Sequence, residues 1–195
     1  MNWAPESIAL FPLNIVLFPE GRLPLRIFET RYIDMVRSCM RGNLNFGVVL
    51  IRDGSEVGSA DTFDVGTTAK IVDFHQLSDG FLGLSCVGEQ RFRILSRRRQ
   101  ADGLNLAEIE SLAREPQVEV PERHAPLAEL LRNVLPQLGE VYAGIEMHLE
   151  DASWVGHRLA EILPIQTSEK QFCLELNDPI RRLDVLSPSA QGAPH

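Results

Sequence analysis

A change of hydrophobic periodicity near Pro116 constrains the fold of this chain more than any other feature. Upstream of it, short apolar runs alternate with prolines, glycines and Asp-Gly pairs, a pattern typical of β-strands and turns. Downstream, apolar residues recur at the spacing of one helix face, as in the stripe of Leu127, Leu130, Leu131, Val134 and Leu135. The sequence therefore predicts a β-rich unit followed by a helical unit.

Within the β-rich half, one amphipathic helix interrupts the strand-like runs. Tyr32, Met35 and Val36 share an apolar side of this helix, predicted over Glu29–Met40 and ended by Arg41-Gly42-Asn43. Three turns are predicted, at Ser78–Gly80, Gly88–Gln90 and Asp102-Gly103. The strand-like runs are Ile8–Leu13, Ile15–Phe18, Leu23–Phe28, Phe46–Ile51, Thr67–Leu77, Phe81–Val87, Arg91–Leu95 and Leu104–Leu112.

Cap signals mark the helices of the second half. Ser153 is a candidate N-cap, Ser168–Gln171 reads as a capping box, and Asp178-Pro179 reads as an N-cap followed by the first helical residue. The Ser- and Pro-rich segment from Ser187 onward is predicted to be disordered. The predicted organisation is a β-rich subdomain over residues 1–116, a helical subdomain over 117–186 and a tail over 187–195.

Charge and composition weigh against several classes of function. The net charge is −8, with −2 in residues 1–116 and −6 in residues 117–195, whereas binding to nucleic-acid phosphates requires basic surfaces. No apolar run reaches the roughly 18–20 residues that a membrane helix needs. Cys39, Cys86 and Cys173 are odd in number and widely spaced, which fits a reducing cytoplasm. Neither the five histidines nor the cysteines have the spacing of a metal site, so no metal and no cofactor is predicted.

An ordered set of motifs resembles the N-terminal, substrate-binding domain of Lon-type proteases. The resemblance spans residues 8–186, and its opening segments are the most distinctive. One departure is Glu20-Gly21, where the family often has glycine directly after the second proline. The matching motifs are Leu10–Leu13, Val16–Pro19, Leu23–Glu29, Arg31-Tyr32, Phe46–Val49, Val65–Thr67, Gly88–Ile94, Leu163-Pro164 and Asp178–Leu183.

The resemblance implies an α+β fold: a six-stranded, PUA-like pseudo-barrel with one packed helix, followed by a small helical bundle. It also implies a non-catalytic module that binds unfolded polypeptides or a partner protein. The ATPase and peptidase parts of full Lon are not expected here, because Lys70 and Lys170 are the only lysines and neither lies in a phosphate-binding loop. The oligomeric state, monomer or dimer, stays open.

The proline-bounded segment between Phe11 and Phe28 is the candidate peptide-binding site. A loop interrupted by prolines can expose apolar side chains to an unfolded peptide, although aromatic residues in such a run also commonly form core. The candidate residues are Phe11, Phe18, Pro19, Leu23, Pro24, Leu25 and Phe28. Two alternative functions remain: an RNA or nucleotide-related binder, since PUA-like barrels elsewhere bind RNA, and an enzyme with an unrecognised site.

Overall fold

The protein is described by a computed structural model over residues 6–56 and 60–191. Its chain divides into two compact units, Met1–Ala113 and Arg114–His195. The first unit contains one helix, α1 (Thr30–Gly42), and a six-stranded sheet. The strands are β1 (Glu6–Leu13), β2 (Arg22–Ile27), β3 (Phe46–Gly54), β4 (Ala60–Gln76), β5 (Leu82–Arg99) and β6 (Asn105–Ser111).

The sheet has the order β2-β5-β4-β3-β1-β6, and a further pairing of β5 with β6 closes it into a barrel. β1 and β3 are parallel, and all other pairs are antiparallel. The two long strands make this closure possible, because one half of β5 pairs with β2 while its other half pairs with β6. The predicted α+β fold with a six-stranded barrel is confirmed.

Helix α1 packs its apolar side on the main core of the barrel. Tyr32, Met35 and Val36 are buried there with Phe46 and Leu84. The helix ends at Asn43, whose left-handed backbone (φ 49°, ψ 45°) turns the chain toward β3. At its start, Glu29 makes no side-chain cap hydrogen bond and instead forms an ion pair with Arg31 at 2.8 Å.

The turn predicted at Gly88–Gln90 is wrong, because β5 runs through these residues without a break. Gly88 serves close packing: its N–H donates to the Gly21 carbonyl, and its own carbonyl accepts from the Glu20 N–H. A Cβ at this position would stand 2.1 Å from the carbonyl oxygen of Phe18. The run predicted as a strand at Ile15–Phe18 is accordingly a loop that packs against β5.

The second unit is helical. Its helices are α2 (Ala125–Val134), α3 (Ala152–Ile162), α4 (Thr167–Glu175) and α5 (Pro179–Gln191). Asp178 caps α5 as predicted, with Oδ1 accepting from the N–H groups of Ile180 and Arg181. The other two caps lie two residues upstream of the predicted positions, at Asp151 and Gln166.

The structure differs from the tail predicted over residues 187–195. Helix α5 continues to Gln191, while residues 192–195 lie outside the described part of the chain. Pro188 is tolerated inside the helix. A proline inside a helix removes one backbone hydrogen bond, and the part of α5 before Pro188 is held by Leu183 and Leu186, which are both buried.

Candidate functional site

The seven residues predicted to bind peptide separate into two groups in the structure. Phe11, Pro24, Leu25 and Phe28 line one cavity of about 280 Å³ at the end of the barrel where β2 leads into α1. The other three, Phe18, Pro19 and Leu23, do not line it. Four of the seven predicted residues thus line one concave surface and three do not, and binding of a peptide there stays a prediction.

An exposed aromatic pair stands beside this cavity. The rings of Phe28 and Phe81 meet edge to face, with centroids 6.3 Å apart and planes at 74°. The Phe28 residue is 53% exposed to solvent and Phe81 is 39% exposed. We call Pro24, Leu25, Phe28 and Phe81 the Phe28 surface. Two aromatic rings left in water at a cavity mouth offer apolar area that a bound chain could cover.

A cation holds Phe81 in place. The guanidinium carbon of Arg26 lies 4.6 Å from the centroid of the Phe81 ring, and an Arg26 nitrogen lies 3.0 Å from an Asp79 carboxylate oxygen. Asp79 also accepts the Phe81 N–H. The aromatic pair is thus positioned by the β4–β5 turn and by β2 together, which limits the rotamer freedom that binding would cost.

The cavity has a rigid floor and walls that carry charges of both signs. Phe11 and Tyr32 stack at its base with ring centroids 4.1 Å apart. Burial raises the pKa of the Tyr32 hydroxyl, so this floor stays neutral. Glu29, Glu56 and Arg26 also line the cavity, and Glu29 is paired with Arg31 at 2.8 Å. An apolar side chain fits these surroundings best.

Phe18 and Leu23 are core residues, which corrects their assignment to the binding site. Phe18 is fully buried and Leu23 is 3% exposed. The loop that carries Phe18 is fixed by Thr67, whose hydroxyl donates to the Leu17 carbonyl at 2.6 Å. Pro19, half-buried, follows in the same loop. None of these three side chains contributes solvent-exposed area to the Phe28 surface.

Phe81 and Arg26 were missed by reasoning from the sequence. Phe81 directly follows the predicted turn at Ser78–Gly80, a position where an aromatic residue commonly projects from a hairpin end. Its partner Phe28 is fixed only by the register of β2 on β5, in which Ile27 pairs with Leu82. That register is set by tertiary packing.

One cluster in the helical unit contains the residue types of a nucleophilic triad. His124 Nε2 lies 2.8 Å from Asp184 Oδ1, and His124 Nδ1 lies 3.3 Å from Ser187 Oγ. Ser187 Oγ also lies 3.0 Å from the Leu183 carbonyl, to which it donates. Because a hydroxyl has one proton, Ser187 cannot donate to His124 at the same time. The cluster therefore ties α5 to the residue that precedes α2.

The three cysteines lie in apolar surroundings. All are free and buried. Burial raises the pKa of each thiol, that of Cys86 to about 12 with a further contribution from nearby Cys39. A thiol with so high a pKa carries almost no nucleophilic thiolate at neutral pH. Over residues 6–56 and 60–191, no group of three or more His, Cys, Asp or Glu side chains is arranged to hold a metal ion.

Comparison with known proteins gives a consistent match. The family model of the ATP-dependent protease La (LON) substrate-binding domain matches residues 7–188. Lon protease 2 of Myxococcus xanthus is 29% identical over 191 residues, which is 93% of this chain and 23% of that protein. Protein cereblon of Danio rerio is 30% identical over 137 residues, 68% of this chain and 30% of that protein. The chain thus spans about a quarter of the length of these relatives.

Two solved structures resemble the protein over nearly its whole length. A Lon N-terminal domain protein from Xanthomonas campestris superposes with a TM-score of 0.80 at 37% identity, covering 94% of this chain and 98% of that one. The N-terminal domain of a Mycobacterium avium complex Lon protease gives a TM-score of 0.67 at 16% identity, which shows the shared fold alone.

Proposed function

From the premise that this chain belongs to the family of Lon substrate-binding domains, we propose that it binds unfolded polypeptide segments and does not itself act on them chemically. The observation that carries the proposal is the Phe28 surface. It combines an exposed aromatic pair, a cavity with a rigid apolar floor and nearby carboxylates. A polypeptide that has not folded exposes the apolar side chains that such a surface would bury.

The proposed binding is broad rather than sequence-specific. The Phe28 surface is mainly apolar, and apolar contact rewards size and burial without demanding a particular side chain. The net charge of −8 attracts basic segments over distances of about a Debye length.

Binding without catalysis is part of the proposal. It is supported by three cysteine thiols whose pKa values are raised by burial and by a serine that donates to a helix carbonyl. The free cysteines also support a reducing compartment, which for a bacterial protein would be the cytoplasm. None of the helices described is both long and apolar enough to cross a membrane.

The alternative of an RNA-binding barrel is disfavoured by charge. The basic cluster Arg97–Arg99 lies within β5, paired with β6, and Arg97 already bonds Asp64 at 2.6 Å. A protein that neutralises phosphates loses affinity steeply as salt rises. Single-stranded RNA is therefore expected not to bind at low salt. When added to the complex, it is expected not to displace a bound unfolded polypeptide.

Phe28→Ser is expected to weaken binding of an unfolded polypeptide about tenfold. Losing a partly exposed aromatic side chain removes roughly 1–2 kcal/mol of apolar burial in the complex, and about 1.4 kcal/mol corresponds to tenfold in affinity. The probe is a reduced and carboxymethylated protein with a fluorescent label, and the measurement is fluorescence anisotropy.

Leu95→Ser is the matched control for Phe28→Ser. Leu95 is also about half exposed, at 56%, but it lies on β5 beyond the part that pairs with β2. Equal affinities of the two variants would contradict the assignment of the Phe28 surface.

A further inference from the structure

The sheet has a vacant strand position beside β4. β3 begins at Phe46, which pairs with Ala69, whereas β4 continues to Gln76. From Lys70 to Gln76, β4 pairs with β5 on one side, and no described strand pairs with its other side. At about 3.3 Å per residue, this open edge is roughly 23 Å long, enough to accept an extended segment of about seven residues.

An apolar groove runs along this open edge. It lies between the edge and the end of α1, where Asn43 turns the chain, and has a volume of about 240 Å³. Four apolar side chains at the groove are about half exposed, at 46–59%, and Ile71 is half-buried. We call this the β4-edge groove, and its apolar residues are Met40, Leu44, Ile71, Val72 and Phe74.

The open edge of β2 offers a contrast. Pro24 lies in the middle of that strand and lacks the N–H that an added strand would need, and Arg22 and Arg26 add charge. The β4 edge contains no proline between Lys70 and Gln76. Its one irregularity is a bulge near Val72, where Asp73 Oδ1 accepts the Phe74 N–H at 2.8 Å. The β4 edge thus has charges and a bulge of its own, but it lacks the proline that interrupts the N–H groups of β2.

The charges at the groove favour a basic occupant. Lys70 is 3.9 Å from Glu89, so its charge is partly balanced. Asp73 is exposed, and its carboxylate bonds only a backbone N–H among the contacts described. A lysine or arginine in the bound segment would meet the Asp73 carboxylate.

We propose that the β4-edge groove binds an extended polypeptide segment that adds to β4 as a further strand. Its apolar side chains, at alternate positions, contact Leu44 and Phe74, and a basic residue lies near Asp73. The inference rests on the proposed function, since it names a second contact site for the same unfolded clients. Backbone hydrogen bonds to β4 supply affinity without sequence specificity, and the groove selects apolar residues.

A synthetic peptide tests the strand addition. The probe has nine residues, apolar alternating with polar, and one central lysine. A second version carries N-methyl groups on the amides of alternate residues, and a third replaces the lysine with glutamate. The N-methylated version is made twice, once with the odd-numbered amides methylated and once with the even-numbered amides. We expect at least a tenfold loss of affinity for one of these two peptides. For the glutamate peptide we expect a several-fold loss of affinity. Equal binding of all versions would overturn the proposal.

Two variants of the protein locate the site. Leu44→Ser and Phe74→Ser are each expected to weaken peptide binding five- to tenfold, with Leu95→Ser as the matched control. These side chains are exposed, so circular dichroism and the urea midpoint should match the wild type. The groove inference alone fails if three results occur together. The wild type binds the unfolded polypeptide, Phe28→Ser weakens that binding, and both groove variants bind the synthetic peptide normally. If the wild type binds no unfolded polypeptide, the proposed function fails.

Discussion

Replacing Arg182 with methionine is expected to lower the free energy of unfolding of the helical unit by about 3–5 kcal/mol. The guanidinium is fully buried and bonds both oxygens of Glu115, at 2.8 and 2.5 Å. It also donates to the carbonyls of Cys173 and Leu176 at the end of α4. The variant would leave a buried carboxylate without its cation and two helix-end carbonyls without a donor.

The loss is measured by urea unfolding followed by far-ultraviolet circular dichroism. Arg181→Met is the matched control, because Arg181 is the preceding residue of α5 and its side chain is exposed. Combining Arg182→Met with Glu115→Leu should restore part of the stability, since removing both charges removes the uncompensated one. Equal urea midpoints for the Arg182 and Arg181 variants would contradict the role given to the buried ion pair.

Phe18→Ala is expected to destabilise the barrel unit by about 3–5 kcal/mol, the range for a fully buried aromatic side chain. Phe18 has no exposed surface, and its loop packs closely on Gly88. Phe28→Ala should change stability by less than about 0.5 kcal/mol, because its side chain is half exposed.

The two phenylalanines therefore separate stability from binding. Thermal unfolding monitored by circular dichroism ranks stability, and anisotropy with the unfolded probe ranks affinity at a temperature where both variants are folded. Phe18→Ala should be unstable with near-normal affinity, and Phe28→Ala stable with weakened affinity. The opposite ranking would show that the exposed and buried roles are reversed.

Local patterns predicted most of the elements. The helical stripe at Leu127–Leu135, the Asp178-Pro179 cap and the Asp102-Gly103 turn depend on neighbouring residues, and the structure contains all three features. Predicted caps at Ser153 and Ser168 were two residues late, because Asp151 and Gln166 also have side chains able to accept from the first turn. Short-range chemistry thus predicts which element forms better than where it begins.

The features that the sequence did not predict depend on packing between residues far apart in the chain. Gly88 resembles a turn residue in the sequence, yet its role is to admit the Phe18 loop, seventy positions upstream in the chain. Whether Phe18 or Phe28 is exposed depends on that same loop, and no periodicity in the Phe11–Phe28 segment distinguishes them. The Glu115–Arg182 pair joins residues 67 positions apart, and sequence patterns give no signal for such a contact.

The distribution of exposed apolar residues connects fold to function. The barrel encloses Phe46 and Phe92 completely, yet it leaves Phe28, Leu44 and Phe74 about half exposed. Exposed apolar groups beside an open strand edge favour aggregation unless they serve binding. We propose that the Phe28 surface and the β4-edge groove expose these apolar groups for contact with unfolded chains.

Nuclear magnetic resonance of the isotopically labelled protein tests the central claim most directly. The protein is titrated with an unlabelled, reduced and carboxymethylated polypeptide, and the backbone amide shifts are followed. We expect the shifts to concentrate at Leu25, Phe28 and Phe81 and, for the second contact site, at Leu44 and Phe74, with saturation in the micromolar range. A spectrum that stays unchanged at saturating polypeptide, or changes only at residues 114–191, would contradict the claim that the Phe28 surface binds unfolded chains.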